Sequence, residues 1–208
     1  MKELITSIII FSMLVGCSVS SNDADNFFLI HGRSHVFKVY APQSWVNDFE
    51  YAKSLGVASF FKPEQPFIEA PKNPYIENID LYIYAQGWDK VNKNSTFESF
   101  IQEDQKNILK KIKDVKITKK DFNFSKMSHI KNAAYFVIEN IPGRYKEDCL
   151  FLETDSTIIN IVYSGVNKEL YDLHKDEFEK FLTKFEFLSS DPIEIKKILE
   201  KDKKERGY

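Results

Sequence analysis

Beyond residue 26 the chain alternates short apolar runs with turn-forming clusters, which is the pattern of strands; a helical period appears only in a few later stretches. Phe27-Phe28-Leu29-Ile30 and His35-Val36-Phe37-Lys38-Val39-Tyr40 read as strands, the second ended by the turn Ala41-Pro42-Gln43-Ser44-Trp45. Val57-Ala58-Ser59-Phe60-Phe61 is the next strand, stopped by Lys62-Pro63. Pro63, Pro66, Pro71 and Pro74 leave no room for a regular element, so 63–74 reads as an extended loop. Long loops inside compact domains are often functional. Ile79 to Ala85 alternates as a strand. Ser95-Thr96-Phe97-Glu98 then carries a capping box, with Ser95 as the cap and Glu98 reaching back. It opens a helix predicted over 96–113, with Phe97, Phe100, Ile101, Ile108, Leu109 and Ile112 on one face.

Strand-like runs follow at 115–124, 133–140, 148–154 and 157–164. Pro142-Gly143 and Asp155-Ser156 supply turns, which makes an antiparallel meander. Asn167 caps a second helix over 168–184, whose apolar face is Leu170, Tyr171, His174, Phe178, Phe181, Leu182 and Phe185. Phe185-Glu186-Phe187-Leu188 leaves that helix. Asp191-Pro192 can start a last one, so 191–208 reads as a Lys- and Glu-rich C-terminal helix or tail. The implied class is α+β, an antiparallel β-sheet flanked by helices, in one domain over 27–190.

The N-terminal residues follow a different logic. Residues 4–13 are apolar but too few to span a bilayer as a helix, and they fit the core of a secretory signal. They close with Leu14-Val15-Gly16-Cys17, which resembles the lipobox of bacterial lipoproteins. The resemblance implies removal of a signal peptide over 1–16, a diacylglycerol on the Cys17 sulfur and a further acyl chain on its new amino group. Two or three chains anchor a protein stably where one does not. Glu3 departs from the pattern by offsetting Lys2. Ser18, where inner-membrane lipoproteins carry Asp, implies the outer membrane, facing the periplasm. Residues 17–26 then read as the lipidated cysteine and a flexible, polar tether.

Composition narrows the classes further. The chain has 208 residues with 43% hydrophobic, which is globular and long enough for a core without covalent staples. The net charge of −2 supplies no field for nucleic acid. Cys17 and Cys149 are the two cysteines, so lipid on Cys17 leaves Cys149 without a partner in the chain.

The order of elements, with Val39-Tyr40-Ala41-Pro42-Gln43-Ser44-Trp45 near the start, the 95–113 helix after a strand, and late strands leading into helix 168–184 and Phe185-Glu186-Phe187, resembles the PsbP-like α/β/α sandwich over roughly 33 to 188. The resemblance implies an antiparallel sheet with helices on both faces. It also implies roles in binding and assembly rather than one fixed chemistry.

No catalytic signature is legible. His31 and His35 are four apart, a spacing that suits a metal pair on a helix, but in strand-like sequence they fall more than about 10 Å apart. His174 lies on an apolar helix stripe and reads as packed. Cys149 has two acids before it, Glu147 and Asp148, which oppose thiolate formation. Neither a Gly-x-Ser-x-Gly turn nor a glycine-rich phosphate loop occurs. The candidates left are aromatic. Trp45, Phe60, Phe67, Tyr75 and Trp88 bracket the proline-rich segment and either contact a partner or cover the sheet edge and core. Arg144 and Tyr145, in the meander turn Gly143-Arg144-Tyr145-Lys146, form a second exposed candidate. The expectation is a lipid-anchored envelope protein without cofactor or enzymatic activity, whose domain binds a protein partner, as an immunity or accessory protein of a secretion system would. A hydrolase would instead need His31, His129 or His174 brought beside a Ser or Asp in three dimensions. A small-ligand carrier would need an apolar pocket between sheet and helix.

Overall fold

The computed structural model describes residues 27–68, 79–90, 96–125 and 127–207. The strand run begins with β1 (Phe27–His31), β2 (Val36–Tyr40) and β3 (Trp45–Asn47), then α1 (Phe49–Leu55), β4 (Ser59–Pro63) and β5 (Leu81–Asp89). After α2 (Phe97–Lys111) come β6 (Lys116–Lys120), β7 (Asn132–Glu139), β8 (Lys146–Glu153) and β9 (Thr157–Gly165). The chain closes with α3 (Lys168–Leu173), α4 (Lys175–Thr183), β10 (Glu186–Ser189) and α5 (Pro192–Arg206). The class is α+β, with antiparallel sheets flanked by helices.

The strands divide between two sheets. A seven-stranded sheet runs β3-β4-β5-β9-β8-β7-β6, and the first hairpin joins β10 in a separate three-stranded sheet, β1-β2-β10. The central strand β9 is buried along its whole length, which its stretch Ile158-Ile159-Asn160-Ile161-Val162-Tyr163, apolar but for Asn160, requires. It pairs with β5 in one unbroken register from Leu81↔Gly165 to Asp89↔Thr157. One face of this sheet is covered by α1 and α2, through Ala52, Phe97 and Ile101. The other is covered by α3, α4 and the small sheet, through Tyr171, Phe178, Phe181, Ile30, Phe37 and Val39. Phe178 and Phe181 are fully buried, worth about 1.5–3 kcal/mol each against exposure.

Several details depart from the sequence pattern. Asp48 caps α1 by accepting the Tyr51 N–H, and Gly56 ends it in the left-handed conformation, so a short helix and β3 stand where only a turn was legible. Thr96, not Ser95, caps α2, and Leu109 points to solvent at 58% exposure. Ser95 itself lies outside the described residues. The helix predicted over 168–184 breaks at His174, whose carbonyl accepts from Glu177 and Phe178 while its φ of −104° and ψ of 8° leave the helical region. α5 belongs to the fold rather than to a tail: Ile195 is buried and Arg206 donates to the Phe27 carbonyl at 3.0 Å.

Candidate functional site

The sheet carries buried polar side chains at both ends of β5. At its start, Asp80 is buried, and its Oδ2 accepts the backbone N–H groups of Phe67 (2.6 Å) and Ile68 (3.0 Å). Charge-assisted bonds of this kind are roughly twice as strong as neutral ones. They fix the segment after β4 with both apolar side chains outward, Phe67 at 47% and Ile68 at 38% exposure. Phe67 stacks on the His174 imidazole with centroids 4.3 Å apart. His174 Nδ1 meets Glu177 Oε2 at 2.9 Å, while Nε2 is buried without a hydrogen-bond partner. Leu173, beside it at the α3–α4 break, is 73% exposed. Phe67 and Ile68, whose backbone Asp80 holds, and Leu173, next to the stacked histidine in the chain, are thus large apolar side chains exposed at this end.

Arg144 lies behind this end of the sheet. Its Nε donates to Ser164 Oγ at 2.8 Å, its Nη1 donates to the Ile79 carbonyl at 2.5 Å, and the guanidinium sits 4.7 Å from the Tyr82 ring. Tyr82 donates in turn to Glu147 Oε1 at 2.5 Å. Burial, and next the Glu147 charge, push the Tyr82 hydroxyl well above its ordinary pKa, so it remains the donor. Arg144 Nη2 is buried without a partner. The expectation of an exposed Arg144 is thus corrected: a cation in an antiparallel turn finds more acceptors inward, on Ile79 and Ser164, than the sequence reveals. Tyr145 is half-buried, edge-on to Tyr171 at 5.5 Å, with Lys146 Nζ 5.0 Å over its ring.

Trp45 is also corrected: at 4% exposure it is part of the main core, because β3 turns it inward against β4. Phe60 is fully buried. Trp88 is 39% exposed and packs on Phe100 at 5.4 Å, but it sits at the far end of β5, about 23 Å along the strand from Leu81. Tyr75 and Cys17 lie outside the described residues. Of the proposed contacts, the fold thus brings Phe67, Arg144 and Tyr145 to one end and leaves Trp88 at the other. Sequence reasoning missed Asp80, Leu173 and the break at His174. The signal for Asp80 was present: an acid between Ile79 and Leu81 at the mouth of an apolar strand.

No protein-family model matches the chain, and no curated protein matches it. A search of solved structures finds similarity to the solution structure of cyanobacterial PsbP (CyanoP) from Synechocystis sp. PCC 6803, at 10% identity and a TM-score of 0.47 over 82% of this chain and 98% of that one.

At the far end of β5, Asp89 gathers a second cluster. Its carboxylate accepts the Ser34 hydroxyl (2.8 Å), the Arg33 N–H (3.2 Å), the Ser34 N–H (3.3 Å) and His35 Nδ1–H (2.8 Å). Burial pushes the Asp89 pKa up, but the Ser34 and His35 bonds outweigh it and hold the carboxyl below its ordinary value. Burial also lowers the His35 pKa, against the pull of Asp89, so the contact is a neutral imidazole donating to a carboxylate. The ring fills a cradle made by two glycines: a Cβ on Gly32 or Gly87 would lie 2.3 or 2.5 Å from it. Ser156 and Thr157 hydroxyls both donate to the Ser34 carbonyl. Ser, His and Asp meet here, yet the serine bonds the carboxylate and Nε2 faces Gly87, so no hydroxyl is activated. The cluster clamps the small sheet to the large one. A tight hairpin, His31 pairing with Val36, separates the two histidines, rather than the single strand that the sequence suggested.

Between the ends, Asp148 is buried under α4 and accepts from Tyr171 Oη and Lys175 Nζ, which also donates to Tyr135 Oη at 3.0 Å. Cys149 is buried, with Asn160 Nδ2 donating to Sγ at 3.1 Å, and burial raises its pKa well above the ordinary value. His129 is exposed near the Phe187 ring. A shallow apolar groove of about 310 Å³ lies between the β1–β2 hairpin and α5, lined by His31, Pro192, Ile195 and Leu199. Among the described residues, no group of three His, Cys, Asp or Glu side chains is placed to hold a metal, and no helix is long and apolar enough to cross a membrane.

Proposed function

We propose that the protein is an envelope lipoprotein, anchored through acylated Cys17, whose domain works as a binding module for a protein partner rather than as a catalyst. The outer membrane, facing the periplasm, is the location that Ser18 favours. The observation that carries the binding reading is the Asp80 clamp: a buried carboxylate holds the Phe67-Ile68 backbone so that two large apolar side chains stay in water beside exposed Leu173. Apolar groups fixed in that way lose little conformational entropy on docking, which is how a small patch gains affinity. An immunity or accessory role in a secretion system is the form of partner binding that fits an anchored head without enzymatic chemistry.

The test has two parts. Mass spectrometry of the mature protein should find a diacylated or triacylated Cys17, and Cys17→Ser should release the chain from membranes. A photo-crosslinking residue at Phe67 should capture a stoichiometric envelope protein, and the same residue at Leu109, on α2, should not. Equal capture at both positions, or none at Phe67 in intact envelopes, would count against the binding surface.

A further inference from the structure

The tether joins the domain at Phe27, and the residues around that point share a chemistry. The Phe27 and Tyr40 rings face each other across the β1–β2 ladder, 6.1 Å apart. Lys38 Nζ lies 4.1 Å from the Phe27 centroid and 4.8 Å from that of Tyr40, and Lys184 Nζ lies 5.3 Å from Tyr40. Arg206 stacks on Phe27 at 4.3 Å, donates to its carbonyl and pairs with Asp202 at 2.8 Å. That contact pins the last turn of α5, with exposed Lys203 and Lys204, to the place where the tether begins. The carboxylates nearby are weaker in sum. Asp202 is taken by Arg206 and Glu205 pairs with Lys201; Glu186, opposite Lys38 in the ladder but not ion-paired to it, sets one negative charge against Lys38, Lys184, Lys203 and Lys204.

We infer that this face, formed by Phe27, Tyr40, Lys38, Lys184, Lys203 and Lys204, rests on a surface of anionic phospholipid. The inference depends on the anchored reading above. The ten residue steps from Cys17 to Phe27 span at most about 36 Å, so the start of β1 stays within that distance of the bilayer. Whichever face the lipid attracts then becomes the membrane side. Lysines near an anionic surface each add appreciable attraction, and aromatic rings settle at headgroup level.

The experiment uses the natural acylated protein in vesicles, labelled with an environment-sensitive fluorophore at Lys204→Cys or, as a control, at Leu109→Cys. Buried Cys149 stays unlabelled in the folded protein. In vesicles containing phosphatidylglycerol and a headgroup quencher, the label at 204 should be quenched far more than the label at 109, and 0.5 M salt should remove most of the difference. Lys38→Gln, Lys184→Gln and Lys203→Gln should together erase it, each removal weakening surface contact about fivefold. Vesicles of phosphatidylcholine alone give a second reading that needs none of the glutamine substitutions, and there the two labels should be quenched alike. Acylated protein quenched equally at 204 and 109 in anionic vesicles overturns this inference and leaves the anchor intact. Absence of acyl groups on Cys17 overturns both.

Discussion

The two ends of β5 carry similar side chains to opposite effect. Around Asp89 the polar groups close on one another: the carboxylate takes donors from Arg33, Ser34 and His35, the Ser34 carbonyl takes two hydroxyls, and the imidazole fills the space that two glycines leave, while Gln86 Oε1, farther along β5, is buried without a partner. At the Asp80 end the network stays open. Arg144 Nη2 and His174 Nε2 are buried without partners, and Phe67, Ile68 and Leu173 stand in water beside them. Native structures leave few buried polar groups unsatisfied, and those few cluster where something other than stability is served. The contrast separates a clamp that holds two sheets together from an exposed apolar surface, the one we propose as the docking site.

The largest expected effect breaks the closed end. Asp89→Ala removes the acceptor of two side chains and two backbone N–H groups at once, and the hairpin loses its tie to the large sheet. Bonds to a carboxylate contribute about 1.5–3 kcal/mol each, tempered here by partial exposure, so a loss of about 3 kcal/mol in urea unfolding is expected. Gly87→Ala attacks the same clamp from its other side. A Cβ placed 2.5 Å from His35 Nε2, inside a central strand, must displace the ring from Asp89. Overpacking of this kind costs about 1–3 kcal/mol. An alanine at Gly87 with undiminished stability would show that the imidazole is free to leave its cradle.

A smaller effect follows from pH. Burial keeps the folded-state pKa of His35 below its ordinary 6.5, and burial followed by the His35 charge lowers that of His31. A histidine depressed by folding binds its proton more readily in the unfolded chain. Its contribution is therefore whole above about pH 6.5 and is lost as the pH falls below that value. Asp89, also depressed, acts in a separate and lower window, beginning near the ordinary carboxylate pKa of 3.8. Melting temperature should fall between pH 7 and pH 5, and His35→Gln should flatten that decline. A decline of equal slope in the variant would move its origin away from the clamp.

Much of the fold was legible because most strands and helices are written locally. The alternation of Ile79 to Ala85, the turn at Asp155-Ser156 and the Asn167 cap each point to the element that forms. What was not legible depends on contacts distant in sequence. The first hairpin leaves the main sheet because β10, some 150 residues later, supplies its partner. Arg144 turns inward because Ile79 and Ser164 offer oxygens that no local pattern announces. Trp45 belongs to a strand of three residues, too short to establish a period. The candidate surface was half legible: Phe67 stood out among the prolines, whereas Leu173 lay off the apolar face predicted for helix 168–184 and only its 73% exposure beside the break at His174 marks it.

The smallest effect on stability should coincide with the largest on binding, and this sharpens the comparison most. Leu173→Ser removes an exposed side chain and should change unfolding free energy by no more than about 0.5 kcal/mol, and Phe67→Ala, which also gives up the stack on His174, should cost no more than about 1 kcal/mol. If the patch is a docking surface, its exposed rings and methyls contribute to the complex and not to the monomer, and each truncation there can cost about 1–2 kcal/mol of binding. Non-covalent retention of the partner that crosslinking identifies should then drop roughly tenfold for either variant, while urea midpoints move little. Trp88→Ala is the informative control. It too removes an exposed aromatic ring, but one that packs on Phe100 at the far end of β5, so it should lower stability and leave partner capture unchanged. The reverse pairing, with Phe67→Ala destabilising and Trp88→Ala releasing the partner, would exchange the roles assigned to the two ends.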